Sequence, residues 1–569
     1  MKSPRDEVGD LDLDWPKAEP RDRGGVATAK GRTIALAVGF CAGFALLSAR
    51  AVQIGLFRPV DEAGAAARAE VTLPRADIVD RNGVLLATSL SAHSLYADPK
   101  RIWDPVETAR ALRTVFPEMD EAAMVAKLSG KGRFVWIARR LTPRQKRAVW
   151  ELAQPGLEFV EEPRRVYPMG ALGGHVIGMV KTDGGGVMGI ERALNDRLTT
   201  GDGATPVALS LDARVQHVVE SELDAAARLH RAIGGAAIVM DVETGEVLSA
   251  ASWPFADPNA PGANSFDAQV NRVTNARYEM GSTFKVFTVA VGLEDKVVTP
   301  DKGYDATAPL RIGEATIHDF HGKNRVMSVQ EILSHSSNIG TVRIARDVGT
   351  ERMRQFFERV GLMERSGGEL MEAGAPLTPR KWSSIAAATA SFGHGIAVSP
   401  LAVTAAYAAV SNGGRYVRPT FLARTSDAPP PATRQVLSPD TSATIVRMMR
   451  EVVTEGTGGR ADVEGYEVAG KTGTAEKAGP NGYDVNRRVS SFAGMFPANK
   501  PRYAILVLLD EPKGAAETGG VATAGVTAAP VVSRIVARSA HLLGVRPSKT
   551  FAQFAQDATP PQNAATEAQ

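Results

Sequence analysis

Ser282 is the only serine in this 569-residue chain followed by a lysine at the third position, Lys285. The segment Glu279-Met280-Gly281-Ser282-Thr283-Phe284-Lys285 runs straight into Val286-Phe287-Thr288-Val289-Ala290-Val291-Gly292-Leu293. That run is too apolar for a surface helix, and it predicts a core helix with Gly281 just before its first turn. At this spacing the hydroxyl and the amine share one face. A serine hydroxyl is a weak nucleophile until a base removes its proton. A lysine is that base only where desolvation lowers its pKa towards neutrality. The helix N-terminus adds partial positive charge and free N–H groups where negative charge would develop on oxygen. Taken alone, the pair also fits Ser282 as an N-cap and Lys285 as a solvated side chain.

Two downstream elements change that balance. Ser336-Ser337-Asn338 is the only Ser-x-Asn, and Lys471-Thr472-Gly473-Thr474 contains the only Lys-Thr-Gly. The Ser336 hydroxyl suits proton relay, and the Asn338 amide suits a substrate peptide bond. Lys471 supplies charge for a carboxylate that the Thr472 and Thr474 hydroxyls can bond, while Gly473 lets a substrate backbone lie close. The three elements, in this order and 54 and then 135 positions apart, resemble the penicillin-binding protein and serine β-lactamase superfamily. A rival pattern overlaps the third: Gly465-Tyr466-Glu467-Val468-Ala469-Gly470-Lys471-Thr472 fits a phosphate-binding loop letter for letter. That motif needs an apolar strand before it and a helix opening at the lysine; neither is predicted here.

The elements that position these residues follow from the rest of the chain. Its length predicts more than one domain, and 44% hydrophobic with 23% charged residues is ordinary for a folded protein. A net charge of +3 without a basic stripe does not point to nucleic acid. The single Cys41 excludes an intramolecular disulfide framework and a cysteine-based zinc site. His318-Asp319-Phe320-His321 shows no third metal ligand and reads as a loop, so neither a metal nor a cofactor is expected.

Ile34 to Ala49 carries no charge, and the apolar character resumes after Arg50 as far as Phe57. Residues 33–57 are therefore expected to form one transmembrane signal-anchor helix. Lys17, Arg21, Arg23, Lys30 and Arg32 place residues 1–32, expected to be a disordered tail, in the cytoplasm. A cleaved signal peptide ending near Ala49-Arg50-Ala51 is the alternative. A pedestal is expected over 58–205, a catalytic domain over 206–546 and a disordered tail over 547–569. Within these, Ile78 to Ala87 predicts two short strands around an Asn-Gly turn. Residues 215–227 predict a helix, 236–251 a hairpin across Glu243-Thr244-Gly245, and Ser328 to Glu331 a capping box. Tyr503 to Leu509 predicts a buried strand beside the one carrying Lys471.

Arg75-Ala76-Asp77-Ile78-Val79-Asp80-Arg81-Asn82-Gly83 is similar to the membrane-proximal signature of class B penicillin-binding proteins, with Ala76 in place of a glycine. Arg164-Arg165-Val166-Tyr167-Pro168 and Gly189-Ile190-Glu191 extend the resemblance through the pedestal. Met280 replaces the proline usual before the nucleophile's glycine. The resemblance implies an α+β fold: a transpeptidase domain with a central antiparallel sheet flanked by helices, a dimerisation-type pedestal and one transmembrane helix. It implies a peptidoglycan D,D-transpeptidase with Ser282, Lys285, Ser336, Asn338 and Lys471 catalytic, and Thr472, Gly473 and Thr474 binding substrate. The oxyanion hole would use the backbone N–H groups of Ser282 and Thr474. It further implies stem peptides as substrate and acylation by β-lactam antibiotics. The place implied is the septal inner membrane, with the catalytic domain in the periplasm beside an FtsW-type glycan polymerase and other divisome proteins. Within the class the division-specific member is the better match and the elongation-specific one the alternative. A penicillin-binding sensor, a β-lactamase and a catalytically silent scaffold are more distant readings.

Overall fold

A computed structural model describes residues 24–57, 75–181, 184–200, 205–313, 315–479 and 482–548. The chain forms two compact units. Met1–Val71, Tyr96–Trp136 and Gln154–Val160 make one; Thr72–Leu95, Ile137–Ala153 and Glu161–Gln569 make the other. The segment expected as a pedestal thus contributes to both.

In the first unit, helix α1 (Gly24–Phe57) covers the expected anchor. Residues 1–23 of the expected N-terminal tail lie outside the described residues, but 24–32 are helical, a difference from the expected disorder. Ile34, Leu36, Val38, Phe40, Phe44, Leu46 and Leu47 are between 61% and 74% exposed, so no protein surface covers them. Among the described residues no helix is long and apolar enough to cross a membrane.

The second unit opens with the expected hairpin. Strand β1 (Ile78–Val79) pairs antiparallel with β2 (Leu85–Ala97) and parallel with β3 (Val207–Ala208). Asp80 holds the turn: one carboxylate oxygen accepts the N–H groups of Asn82 and Val84 at 2.7 and 2.8 Å, and the other accepts that of Ala213 at 2.9 Å. Ala213 begins helix α2 (Ala213–Leu229). Nearby, the fully buried Glu191 accepts from Arg75 Nε at 2.9 Å and Arg165 Nε at 2.7 Å. The pedestal motifs are therefore joined by a buried ion triad, which makes their role structural.

The core is a five-stranded antiparallel sheet. Its strands are β4 (Gly234–Asp241), β5 (Val247–Trp253), β6 (Ala469–Gly479), β7 (Gly482–Phe496) and β8 (Tyr503–Asp510), in the order β6-β7-β8-β4-β5. Alternation divides its side chains between two cores. Ala236, Ile238, Leu506 and Leu508 face one, whereas Ala237, Val239, Ile505 and Val507 face the other. On the first face lie α3 (Lys285–Glu294), α4 (Val329–Ser334), α5 (Asn338–Val348), α6 (Pro400–Ser411) and α7 (Pro439–Thr454); α2 and α8 (Ala528–Ser539) cover the second. Helices on both faces explain why every residue of β4 and β8 is buried.

Two expectations are corrected. Strand β8 does not pair with the strand carrying Lys471, because β7 lies between them, with Thr472 opposite Phe492. The first half of β7 is polar and largely exposed, and its buried half mixes Ser and Gly with apolar residues, so no alternating signal marks it. The helix after Ser282 also begins later than predicted: a 3₁₀ turn over Gly281–Phe284 precedes an α-helix that starts at Lys285. Thr283 Oγ1 donates to Met280 O at 3.1 Å across this turn. The expected C-terminal tail lies outside the described residues from 549 onward; before it, Ser548 N donates to Gly465 O at 2.7 Å.

Candidate active site

The 3₁₀ turn carrying Ser282 is fitted against β6 at main-chain distance. A Cβ at Gly473 would lie 2.4 Å from Met280 O and 2.8 Å from Thr283 Cγ2. A Cβ at Gly393 would lie 2.2 Å from Gly281 O. Gly281 itself has a φ of +54°, a conformation that L side chains rarely adopt. Glycines at these contacts bring the turn, β6 and the 391–395 loop into direct backbone apposition.

Lys285 is fully buried, and its Nζ donates to Ser336 O at 2.5 Å and to Ser336 Oγ at 3.1 Å. Burial, then the nearby positive charge of Lys471, hold the amine well below the ordinary lysine range, with Asp319 acting weakly in the opposite sense. Ser336 has a φ of +62°, a strained position for a residue with a Cβ. The strain turns its carbonyl and its hydroxyl towards the same amine. The capping box of Ser328 and Glu331 opens α4 as predicted, and Ser337 caps α5, so that Asn338 is its first residue.

Asp319 holds this loop together. It accepts from Ser337 Oγ at 2.7 Å and from Ile339 N at 3.0 Å, while Asn338 Nδ2 donates to His318 O at 2.9 Å. Lys471, also fully buried, lies within β6, where a phosphate loop would need a helix N-terminus; the nucleotide reading fails on this point. Its Nζ reaches Thr472 O at 3.2 Å and Thr457 Oγ1 at 3.3 Å, and Thr457 and Thr472 share a hydroxyl–hydroxyl bond of 2.8 Å. Burial pushes the Lys471 amine down to about 7. Thr474 Oγ1 accepts from Ala524 N at 3.2 Å.

A cleft of about 680 Å³ opens over these groups, lined by Ser282, Ser336, Asn338, Thr472 and Thr474. Lys285, Lys471 and Gly473 lie behind that wall. All eight predicted residues therefore converge, with the two lysines acting on the cleft through hydroxyls. Sequence reasoning missed Asp319 as a loop brace, Thr457, and the wall residues His394 and Arg488. Asp319 lies in the segment His318-Asp319-Phe320-His321, which reads in the sequence as a loop with no role for the carboxylate. Burial, and then the charge of Lys285, lower His394 to about 4, so it is neutral at physiological pH. Its flanking glycines, Gly393 and Gly395, were the one available signal. Among the described residues no group of His, Cys, Asp and Glu could hold a metal ion.

Residues 235–536 match the penicillin-binding protein transpeptidase domain, and residues 70–226 match the penicillin-binding protein dimerisation domain. The chain belongs to the class B penicillin-binding proteins. It is 42% identical over 541 residues to the probable peptidoglycan D,D-transpeptidase FtsI of Caulobacter vibrioides, covering 93% of this chain and 90% of that protein. Its identity to FtsI of Escherichia coli K12 is 32% over 489 residues, covering 80% and 82%. Penicillin-binding protein 3 of Mycobacterium tuberculosis, solved in complex with ampicillin, superposes with a TM-score of 0.67 at 27% identity, covering 84% of this chain and 96% of that one. The activity that follows is that of a serine-type peptidoglycan D,D-transpeptidase of the FtsI type, and the elongation-specific alternative is not favoured.

Proposed function

We propose that Ser282 is the acylated nucleophile in the cross-linking of septal peptidoglycan. The observation that carries this reading is the desolvated Lys285 amine, one 3₁₀ turn from Ser282 and bonded to the carbonyl and hydroxyl oxygens of Ser336. The neutral amine takes the Ser282 proton as Oγ attacks the carbonyl of the penultimate D-alanine. The resulting oxyanion is met by the backbone N–H groups of Ser282 and Thr474. Ser336 Oγ then passes the proton from Lys285 to the departing amine of the terminal D-alanine, leaving an acyl ester on Ser282. An amine from a second stem attacks that ester, its proton returns along the same path, and Ser282 is regenerated with the cross-link made. Asn338 bonds the donor peptide, and Thr472 and Thr474, backed by Lys471, bond its terminal carboxylate. A β-lactam, whose strained amide copies the scissile bond, acylates Ser282 in the same way.

Helix α1, with its uncovered apolar residues, is proposed as the membrane anchor, residues 1–32 being cytoplasmic and the bulk periplasmic. Partners at the septum are proposed to include an FtsW-type polymerase, which would deliver strands to a tethered site.

Labelled penicillin tests the nucleophile. Ser282→Ala is expected to abolish labelling while leaving thermal unfolding nearly unchanged, and Lys285→Arg to be almost as inactive as Lys285→Ala, because a guanidinium does not give up its proton. Labelling that survives Ser282→Ala overturns the assignment.

A further inference from the structure

Two adjoining clefts of about 620 and 350 Å³ share Gly368, Arg418, Pro419 and Ala432. Neither shares a lining residue with the cleft at Ser282. In the smaller one Ser366 is only 5% exposed, yet its hydroxyl has no hydrogen-bond partner. Burying a hydroxyl unpaired is unfavourable, so such a group points to a ligand that completes it. The backbone N–H groups of Ser366, Gly367 and Gly368 also have no carbonyl partner among the described residues.

Arg365 and Arg418 are exposed at the same place. Other charges in the walls are already engaged. Glu364 pairs with Arg434, which also lies over the Tyr416 ring at 4.8 Å, and Glu369 accepts from Thr420 Oγ1 at 2.6 Å and Phe421 N at 2.7 Å. What remains, among the described residues, is a set of donors without an acceptor: a hydroxyl, main-chain N–H groups and two guanidinium groups. That set suits an oxyanion.

We propose that this cleft binds the free carboxylate of a peptidoglycan stem peptide at a place apart from catalysis. The assignment rests on the substrate reading above. A polymer whose stems repeat carboxylates along its length offers one to this cleft while another stem occupies Ser282, and both clefts belong to the same compact unit. Bound there, a strand is retained between successive cross-links.

The test uses the full-length protein with Ser282 blocked by penicillin, titrated calorimetrically with three probes: a synthetic stem pentapeptide, the same peptide with its carboxylates amidated, and inorganic phosphate. The free peptide is expected to bind, with at least tenfold weaker binding after amidation and after Arg365→Ala/Arg418→Ala, and about threefold weaker after Ser366→Ala. Unchanged penicillin labelling of these variants shows that they are folded. Peptide binding indifferent to the substitutions overturns the proposal, as does binding of phosphate alone or of neither probe. Failure of penicillin to block Ser282 would count against the catalytic reading instead.

Discussion

Lys285 and Lys471 both sit in the interior with their hydrogen bonds directed to hydroxyl and carbonyl oxygens. Because Lys471 lowers the Lys285 amine, removing its charge must let that amine rise. In Lys471→Met the ascending limb of penicillin acylation against pH is expected to move to higher pH; a limb that stays in place removes the electrostatic link. Stability has its own sign. Lys471 titrates at about 7 folded against 10.5 unfolded, so between those values the unfolded chain binds more protons. Stability therefore rises with pH across that window and is lost as pH falls through it. Denaturant midpoints should show this slope, and Lys471→Met should flatten it. Asp319 acts by position: Asp319→Ala leaves Ser337 Oγ and Ile339 N without their acceptor. It is expected to cost about 1–3 kcal/mol of stability and on the order of tenfold in acylation rate, read by melting and by labelling kinetics. Ser282, Lys285, Ser336 and Lys471 were legible because each falls in a short motif. Asp319, Thr457 and His394 were not, because their roles arise only when segments far apart in the chain meet.

At the scale of elements, the 3₁₀ turn and β6 touch backbone to backbone. Gly473→Ala places a methyl group 2.4 Å from Met280 O, and the turn must retreat. Acylation is expected to fall by about 100-fold, since a shift near 1 Å at a nucleophile costs that much, while far-UV circular dichroism stays native; near-normal acylation would mean that the turn is free to slide. The same contact shows where sequence reasoning stops. Strand β8 is apolar from Tyr503 to Leu509 and declared itself, as did α2, the β4–β5 hairpin and the α4 capping box. Strand β7 did not, because its pairing partner, not its own pattern, makes it a strand. The 3₁₀ start of α3 was hidden for a related reason: the close approach of Gly281 to Gly393 and Thr474 decides it, and neither neighbour is local.

For the whole molecule, the apolar residues of α1 are exposed among the described residues, and they suit an apolar environment. Replacing residues 33–57 with an unrelated membrane helix is expected to preserve penicillin labelling of Ser282 but to weaken co-purification with an FtsW-type polymerase and to fail to support septation. Normal division after the swap would reduce the helix to a tether.

The glycine contacts around Ser282 have a further consequence for drug resistance. Main chain presses on main chain where Gly473 meets Met280 and Gly393 meets Gly281, so the seat of Ser282 offers no side chain to trim at these two contacts. An antibiotic that acylates Ser282 faces a target unable to reshape that seat without losing its own activity. Escape is expected in the outer wall of the cleft, where Phe320, 66% exposed, lies under Arg488, 5.9 Å from the ring centroid.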